Sequence, residues 1–282
     1  MKYIDSLRSA AQQFNSLVCL GLDPVVEEIP IKSDSIYTTI TTFYQEILNS
    51  ILASCIFPSS IKPNYAFYAQ YGIEGIRALV SVINAYKAAG FPIILDVKRG
   101  DIGTTAEAYS REAFVFFNAD AVTVSPFLGY DSIAPFIENY PDKGVYVLNK
   151  TSNKSSTELQ DVIIDGVPLY LYLSRKILDW NKGGLGAVVG ATFPSQLEEI
   201  AEVFNSSGQD IPLLIPGIGS QGGSLGDVCS ILRSCPDPRI HRINSSSAIN
   251  YAYKKYRGMS YPDAAVEALR SLNEEINSHI FD

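Results

Sequence analysis

The chain has 282 residues, of which 46% are hydrophobic and 18% are charged, and this composition is typical of a globular protein. Its 30 Asp and Glu residues outnumber its 22 Lys and Arg residues, which gives a formal net charge of −8. Such a balance argues against a broad basic surface for nucleic acid or anionic membranes, although a small basic pocket is compatible with it. The apolar runs are too short to cross a bilayer. We therefore expect neither nucleic acid nor a membrane as a partner.

The amino terminus predicts an amphipathic helix within residues 1–16. Ile4, Leu7, Ala11 and Phe14 recur at helical spacing among polar side chains, as expected for a helix that buries one face. A secretory signal peptide would instead carry a continuous apolar centre. We therefore expect a cytoplasmic protein.

Eight short apolar runs rich in β-forming residues alternate with segments of helical periodicity. Each strand–helix unit averages about 35 residues, which fits a parallel α/β sheet closed into a (β/α)8 TIM barrel. A doubly wound open sheet is the structural alternative. No linker or charge discontinuity divides the chain, so we expect a single barrel domain over residues 1–282. The predicted strands cover residues 17–23, 59–63, 92–98, 121–125, 144–150, 186–191, 211–216 and 240–244.

Helices are predicted most clearly over residues 106–117, 194–204 and 262–272, and Pro194 suits a first helical turn. Residues 149–165 form the longest polar stretch and follow the fifth strand. We expect this stretch to be a loop on the catalytic rim of the barrel, where the strands end.

Cysteine and histidine offer little for catalysis. The four cysteines form no C-x-x-C pair, and two of them lie in apolar segments that predict buried thiols. The two histidines, His241 and His279, are too few for a histidine-rich zinc site. We expect the chemistry to depend on lysines and carboxylates, without a metal or organic cofactor.

The densest group of ionisable residues ends the third predicted strand and comprises Asp96, Lys98 and Asp101. Residues two apart on a strand share a face, so Asp96 and Lys98 should both point into the barrel. Glycines at positions 100 and 103 would let the chain turn so that Asp101 returns near this pair. A salt bridge that only closes the barrel mouth is the structural alternative.

Lys62 ends the preceding strand and would extend this group into a row of two lysines and two aspartates. Neighbouring opposite charges lower the pKa of the carboxyl groups and raise that of the lysines, so all four should be charged at neutral pH. A Schiff-base lysine must be deprotonated, which argues against an aldolase of that type. A charged lysine beside a carboxylate is suited to donating a proton.

Three further segments follow predicted strands. Asp23 could bind a ribose hydroxyl or simply cap a turn. Residues 150–153 could contact the edge of a base or form a solvated loop. Residues 216–223 are rich in glycine and expose backbone N–H groups, as phosphate sites of barrels do. They contain G-x-G-x-x-G, but no acidic residue ends the next strand to bind a ribose diol, which argues against a nicotinamide dinucleotide.

These residues resemble orotidine 5′-phosphate decarboxylase, the barrel enzyme that forms UMP in pyrimidine synthesis, and in particular its longer, type 2 subgroup. The resemblance covers nearly the whole chain, and the joint occurrence of its motifs in the family's order is highly specific. The motifs are Leu22-Asp23-Pro24, Lys62-Pro63-Asn64, Asp96-x-Lys98-x-x-Asp101-Ile102-x-x-Thr105, Ser125-Pro126 with Gly129-x-Asp131, Thr151-Ser152-Asn153, Val189-Gly190-Ala191-Thr192, Pro216-Gly217-Ile218-Gly219 with Gln221-Gly222-Gly223, and Asn244-Ser245-Ser246.

The resemblance implies catalytic roles for the charged row. Lys98 would protonate C6 of the pyrimidine, Asp96 would face the substrate carboxylate, and Lys62 would contact the ribose. Asp101 would reach into the active site of a neighbouring subunit together with Ile102 and Thr105. This arrangement implies a homodimer with shared active sites.

The same resemblance implies residues that bind the nucleotide substrate. Asp23 and Asn64 would contact the ribose, and Ser152 would contact the pyrimidine. Gln221 would contact the phosphate, with backbone N–H groups near Gly219 and Ser246. Association with an orotate phosphoribosyltransferase is a further expectation.

One position departs from the family's pattern. An arginine that binds the phosphate usually follows Asn244-Ser245-Ser246, and this chain has Ser247 there. A charge-assisted contact contributes about 1.5 to 3 kcal/mol, so its loss should weaken binding about 10- to 100-fold unless another cation substitutes. Arg242, Lys254 and Lys255 are candidates by their proximity in sequence.

Two alternative functions remain. A sugar-phosphate decarboxylase or aldolase of the same barrel superfamily would share the Asp-x-Lys-x-x-Asp pattern but would generally bind a divalent metal. A nucleotide-binding pseudoenzyme would explain the missing arginine, but Asp96, Lys98 and Asp101 are all present.

Overall fold

A computed structural model describes residues 1–218 and 222–281 of the chain. Its main sheet holds eight parallel strands in the order β2-β1-β10-β9-β8-β5-β4-β3. Parallel bridges from Ile61 to Ile93 and from Asn64 to Asp96 join the two edge strands and close the barrel. The strands are β1 (Val18–Leu22), β2 (Ser60–Pro63), β3 (Ile94–Arg99), β4 (Ala121–Val124), β5 (Gly144–Lys150), β6 (Ile163–Ile164), β7 (Val167–Pro168), β8 (Leu185–Val189), β9 (Leu213–Ile215) and β10 (Arg242–Ser245).

Helices surround the barrel because each has one apolar face to bury. Several begin at side-chain caps; for example, Ser35 accepts a hydrogen bond from the backbone N–H of Thr38, and Ser260 accepts one from Asp263. The α-helices are α1 (Tyr3–Phe14), α2 (Ile36–Ser54), α3 (Tyr65–Ala69), α4 (Gly72–Ala88), α5 (Gly103–Arg111), α6 (Ala134–Glu138), α7 (Thr157–Gln160), α8 (Leu169–Trp180), α9 (Pro194–Ser206), α10 (Leu225–Arg233), α11 (Ser247–Asn250) and α12 (Tyr261–Ile280).

Two layers of apolar side chains build the core. The larger layer lies between the strands and the surrounding helices. The smaller layer fills the barrel interior and includes Tyr3, Ile4 and Leu7 of the predicted amino-terminal helix. The Tyr3 hydroxyl donates to the Tyr146 hydroxyl at 3.1 Å. Helix α1 therefore plugs the amino-terminal end of the barrel and leaves the opposite end open.

The barrel prediction is confirmed, and all eight predicted strands lie within two residues of observed ones. The prediction of a loop over residues 149–165 is wrong. This stretch contains the end of β5, a 3-10 turn, α7 and strand β6, which pairs with β7 as an antiparallel hairpin. Neither strand of the hairpin has more than two residues, too few to produce a period-two pattern. Among the residues that the structure describes, no helix combines the length and apolarity needed to cross a membrane.

Candidate active site

A cavity of about 690 Å³ opens at the carboxyl ends of the barrel strands. Residues that follow or end several different strands line it, as in barrel enzymes generally. Sequence-predicted residues in its wall are Asp23, Lys62, Asn64, Asp96, Lys98, Ser152 and Ser246.

The charged row crosses the floor of this cavity. Lys62 Nζ lies 2.9 Å from Asp96 Oδ2, and Lys98 Nζ lies 2.5 Å from Asp96 Oδ1. The side chains of Lys62 and Asp96 are only 5% and 9% exposed, whereas that of Lys98 is 47% exposed. Asp96 is thus fixed from two sides, and Lys98 is the member of the row that a ligand can reach.

Burial and opposite charge act against each other in this row. Burial disfavours the charged form of Asp96, but Lys62 and then Lys98 outweigh burial and hold the pKa of the carboxyl group well below its usual range. Burial likewise disfavours the charged form of Lys62, and Asp96 and then Asp23 raise its pKa above the usual range. The inner pair is therefore ionised across the physiological pH range.

The backbone of β3 does not follow the regular alternation predicted for this strand. Its register against β4 shifts between Leu95 and Arg99, and Lys98 has a φ of +50°. A β-bulge of this kind redirects a side chain. Asp96 and Lys98 do meet, as predicted, but Lys98 reaches the carboxylate through the bulge and not through strict two-residue alternation.

Among the residues that the structure describes, Asp101 forms no ion pair or hydrogen bond with Asp96 or Lys98, so its predicted return to this pair is not seen within one chain. Its carboxylate accepts a hydrogen bond from the backbone N–H of Ile102 at 2.8 Å. Ile102 and Thr105 are exposed. These three residues are absent from the cavity wall formed by the described residues of their own chain.

Asp23 and Asn64 form one side of the cavity. Asp23 Oδ1 accepts a hydrogen bond from the backbone N–H of Asn64 at 3.2 Å. The side-chain oxygen of Asn64 accepts a hydrogen bond from the backbone N–H of Ala66 and so caps α3. This hydrogen bond joins the ends of β1 and β2, two residues after Lys62 in the sequence.

The segment after β5 forms the opposite side. Thr192 Oγ1 donates to the backbone carbonyl of Ser152 at 2.9 Å. A Cβ at Gly190 would lie 2.6 Å from Ser152 Cα, so glycine is required for this close approach. The buried Lys150 Nζ lies 2.5 Å from Asp161 Oδ1 and 4.5 Å from the centre of the Phe193 ring. These contacts fix the position of Ser152.

A third part of the wall comes from the segments that follow β9 and β10. Gly217 and Ile218 line it together with Ser246 and Ser247. The Ser246 side chain occupies the space next to Gly21, where a Cβ would lie only 1.8 Å from Ser246 Oγ. The predicted phosphate residues Gly219 and Gln221 lie outside the described residues.

The three cations suggested as substitutes for the missing arginine lie in different places. Arg242 is fully buried, and its guanidinium donates to the carbonyl of Leu7 at 2.6 Å in the plugged end of the barrel. Arg242 was therefore a wrong candidate. Lys254 Nζ lies 2.7 Å from the carboxylate of Glu28, which lines the cavity. Lys255 is exposed and lies over the Tyr256 ring.

The other nucleophilic groups are removed from this chemistry. All four cysteines are free, and burial raises the pKa of the Cys19 thiol to about 11. Within residues 1–218 and 222–281, no cluster of three or more His, Cys, Asp or Glu side chains could hold a metal ion.

Sequence reasoning missed several residues of the wall, among them Thr123, Glu28 and Tyr251. Thr123 is a lone hydroxyl in an otherwise apolar strand. An inward-facing polar residue at the carboxyl end of a barrel strand is a signal that could have identified it. The Tyr251 hydroxyl accepts a hydrogen bond from the backbone N–H of Val25 at 2.7 Å, a contact that no local pattern predicts.

The chain is similar to members of one enzyme family over nearly its whole length. The family model described as Orotidine 5'-phosphate decarboxylase / HUMPS family matches residues 16–233. An orotidine 5′-phosphate decarboxylase of Azoarcus sp. is 41% identical over 282 residues, which cover 99% of this chain and 100% of the relative. The solved Leishmania donovani OMP decarboxylase has a TM-score of 0.82 at 35% identity and matches over 100% of both chains. Leishmania donovani UMP synthase has a TM-score of 0.82 at 36% identity, covering 100% of this chain and 57% of that one. The chain belongs to the orotidine 5′-phosphate decarboxylase / HUMPS family.

Proposed function

We propose that the protein decarboxylates orotidine 5′-monophosphate to UMP in pyrimidine biosynthesis, with Lys98 as the proton donor. The observation that carries the proposal is the geometry of the row, in which an accessible Lys98 ammonium lies against an ionised Asp96 that Lys62 anchors from behind. A charged, accessible ammonium at the floor of a cavity can stabilise negative charge on a ligand atom and then supply a proton to that atom.

The reaction breaks the bond between C6 and the carboxylate carbon. The electron pair stays on C6 while CO2 leaves, and a proton passes from Lys98 Nζ to C6. Asp96 lies beside Lys98, where it would repel the substrate carboxylate. Two charges about 4 Å apart repel by about 4 kcal/mol at an effective dielectric constant of about 20, and this repulsion disappears when neutral CO2 forms. The chemistry proposed here requires no metal or organic cofactor.

Binding of the rest of the nucleotide would hold the carboxylate against this repulsion. Asp23 and Asn64 are proposed to bind the ribose together with Lys62, since all three line one side of the cavity. Ser152 is proposed to contact the pyrimidine from the opposite side. We propose that Ser246 binds the phosphate together with Gly219 and Gln221, which lie outside the described residues.

A homodimer with shared active sites is part of the proposal. Asp101, Ile102 and Thr105 lie outside the cavity of their own chain, as residues that serve a partner's site would. Exposed apolar side chains in the same half of the barrel support a buried interface. They are Ile102, Val115, Phe116, Phe127 and Leu128.

We also propose association with an orotate phosphoribosyltransferase, since that reaction would supply the orotidine nucleotide. Co-sedimentation of the two purified proteins tests it: a complex is expected, and separate sedimentation at micromolar concentration would contradict it. The cytoplasmic location stays a prediction.

The test of the proposed activity is the absorbance change of orotidine 5′-monophosphate with purified protein treated with a chelator. We expect conversion to UMP at a rate that the chelator does not change. Conversion that is lost with the chelator and restored by a divalent metal would contradict the metal-free chemistry proposed here. No conversion before or after treatment would contradict the proposed activity and favour one of the two alternatives, a sugar-phosphate enzyme or a pseudoenzyme.

A further inference from the structure

One buried hydroxyl lies where the charged row meets the β3 bulge. Thr123 on β4 is 1% exposed, and its Oγ1 lies 3.0 Å from Asp96 Oδ1. The backbone nitrogens of Val97 and Lys98 each lie 3.0 Å from the same oxygen. Thr123 therefore contacts both the carboxylate and the backbone that carries the proposed proton donor.

The direction of these three hydrogen bonds is fixed by the chemistry of the hydroxyl. A threonine hydroxyl has one proton to donate and two lone pairs that accept. The two backbone N–H groups can only donate, so they occupy both lone pairs. The hydroxyl proton must then go to Asp96 Oδ1. Because Lys98 also donates to Oδ1 and Lys62 donates to Oδ2, both oxygens of Asp96 accept, as those of a carboxylate do.

The same hydroxyl supports an unfavourable backbone conformation. Lys98 has a φ of +50°, in the left-handed region that a side chain with a Cβ disfavours. Bonding of two consecutive N–H groups to one oxygen holds the chain in this turn. This backbone conformation places Lys98 Nζ 2.5 Å from Asp96 Oδ1, the oxygen that Thr123 also contacts.

We propose that Thr123 is a positioning residue for the reaction, which holds the bulge that places Lys98 and directs Asp96 as an acceptor. The inference rests on the proposed function, because it assigns Thr123 a role in the decarboxylation step. Substrate contacts made by Asp23, Asn64 and Ser152 do not pass through Thr123. Loss of the hydroxyl should therefore lower kcat with little effect on the binding of UMP.

The experiment compares Thr123→Val, which keeps the shape and removes the hydroxyl, with Thr123→Ser, which keeps the hydroxyl. We expect Thr123→Val to lower kcat about 100-fold, since a displacement of about 1 Å can have that effect. Its Kd for UMP, measured by calorimetry, should change by less than about 3-fold, because its binding contacts remain. Thr123→Ser should recover most of kcat.

Thr39→Val serves as a matched control, since Thr39 is also buried, accepts a hydrogen bond from the backbone N–H of Ser33, and lies on α2 away from the cavity. It should lose stability without losing kcat. If Thr123→Val does not fold, Thr123→Cys replaces it, and its weaker hydrogen-bonding thiol should give a kcat clearly below that of Thr123→Ser.

The outcomes separate the two proposals. A wild-type protein that does not convert orotidine 5′-monophosphate overturns the proposed function and this inference with it. If the wild type is active and Thr123→Val (or Thr123→Cys) has the same kcat as Thr123→Ser, the inference alone is overturned. Equal losses of kcat and UMP affinity that Ser does not restore also overturn it, because they indicate a general structural role.

Discussion

Lys98 differs from its neighbours in the charged row because its ammonium is accessible from the cavity. We predict that Lys98→Ala lowers kcat at least about 1,000-fold, since it removes both the proposed proton donor and the positive charge that would lie near the carbanion. UMP binding should remain, because the residues proposed to contact the ribose and the phosphate are unchanged. The measurements are turnover by absorbance and UMP affinity by calorimetry.

An exposed lysine at the plugged end of the barrel, Lys2, gives the control for this experiment. Lys2→Ala should leave both kcat and UMP affinity unchanged. Turnover of Lys98→Ala close to that of the wild type would rule out the proton-donor role.

His241 is buried in the plugged end of the barrel and should make folding pH-dependent. Its Nδ1 accepts a hydrogen bond from the backbone N–H of Leu213 at 3.0 Å, and burial lowers its pKa to about 4. Below its usual pKa of about 6.5 the unfolded state binds a proton that the folded state does not, so stability falls with pH. Between pH 6.5 and 5 the loss should be about 1.5 kcal/mol.

His241→Asn keeps an acceptor for the Leu213 N–H but does not titrate in this range. Urea unfolding at several pH values between 5 and 7 should therefore give a smaller change in the free energy of unfolding for the variant. Asp96 does not confound the comparison, because its lowered pKa removes stability only at lower pH. Equal pH dependence in the two proteins would contradict the assignment.

The segment between β5 and α8 depends on the ion pair between Lys150 and Asp161. Lys150 is 0% exposed, whereas the Asp161 side chain is 31% exposed. Removing Asp161 leaves a buried charge without a partner, but removing Lys150 leaves a carboxylate that water can reach. We predict that Asp161→Ala lowers the free energy of unfolding by about 3 kcal/mol and Lys150→Met by clearly less.

Denaturant unfolding of the two single variants and the double variant measures this asymmetry. The double variant should be more stable than Asp161→Ala, because it has no unpaired buried ammonium. If loss of the partner of Asp161 were the more costly change instead, Lys150→Met would be less stable than Asp161→Ala, which would contradict the prediction.

The strands and helices that bury apolar side chains could be predicted from the sequence. Backbone conformations that depend on tertiary contacts could not. The eight barrel strands are short apolar runs, and Ile4 and Leu7 mark the buried face of α1. The bulge at Lys98 depends on the Thr123 hydroxyl of another strand, so the residues of β3 alone do not predict it. The β6–β7 hairpin is short and partly exposed, so it lacks an apolar pattern.

The candidate site was predictable to a similar extent. Parallel strands of a barrel end at one rim, so Lys62, Asp96 and Lys98 could be placed together from strand order alone. Proximity in sequence failed for Arg242, because that residue begins β10 at the plugged end whereas Ser246 follows the same strand at the open end. Whether a residue begins or ends its strand therefore decides at which end of the barrel its side chain lies.

At the scale of the whole molecule, the described residues that line the cavity do not include Asp101 of the same chain, and a symmetric dimer would supply this residue from the partner. In an isologous dimer each chain contributes its Asp101 to the other site, so the two sites are equivalent. We predict that Asp101→Ala abolishes activity in the homodimer. Sedimentation should show a dimer for this variant, because the exposed apolar surface of Ile102, Phe116 and Phe127 is unchanged.

Coexpression of Asp101→Ala with Lys98→Ala chains tests the sharing directly. A mixed dimer contains one site with both residues intact and one site with neither. If chains pair at random, half of the dimers are mixed and half of their sites are intact, so activity should return to about one quarter of the wild-type value. Activity that stays at the level of the separate variants would show that each chain uses its own Asp101, which the single-chain geometry does not support, or that Asp101 serves only the fold.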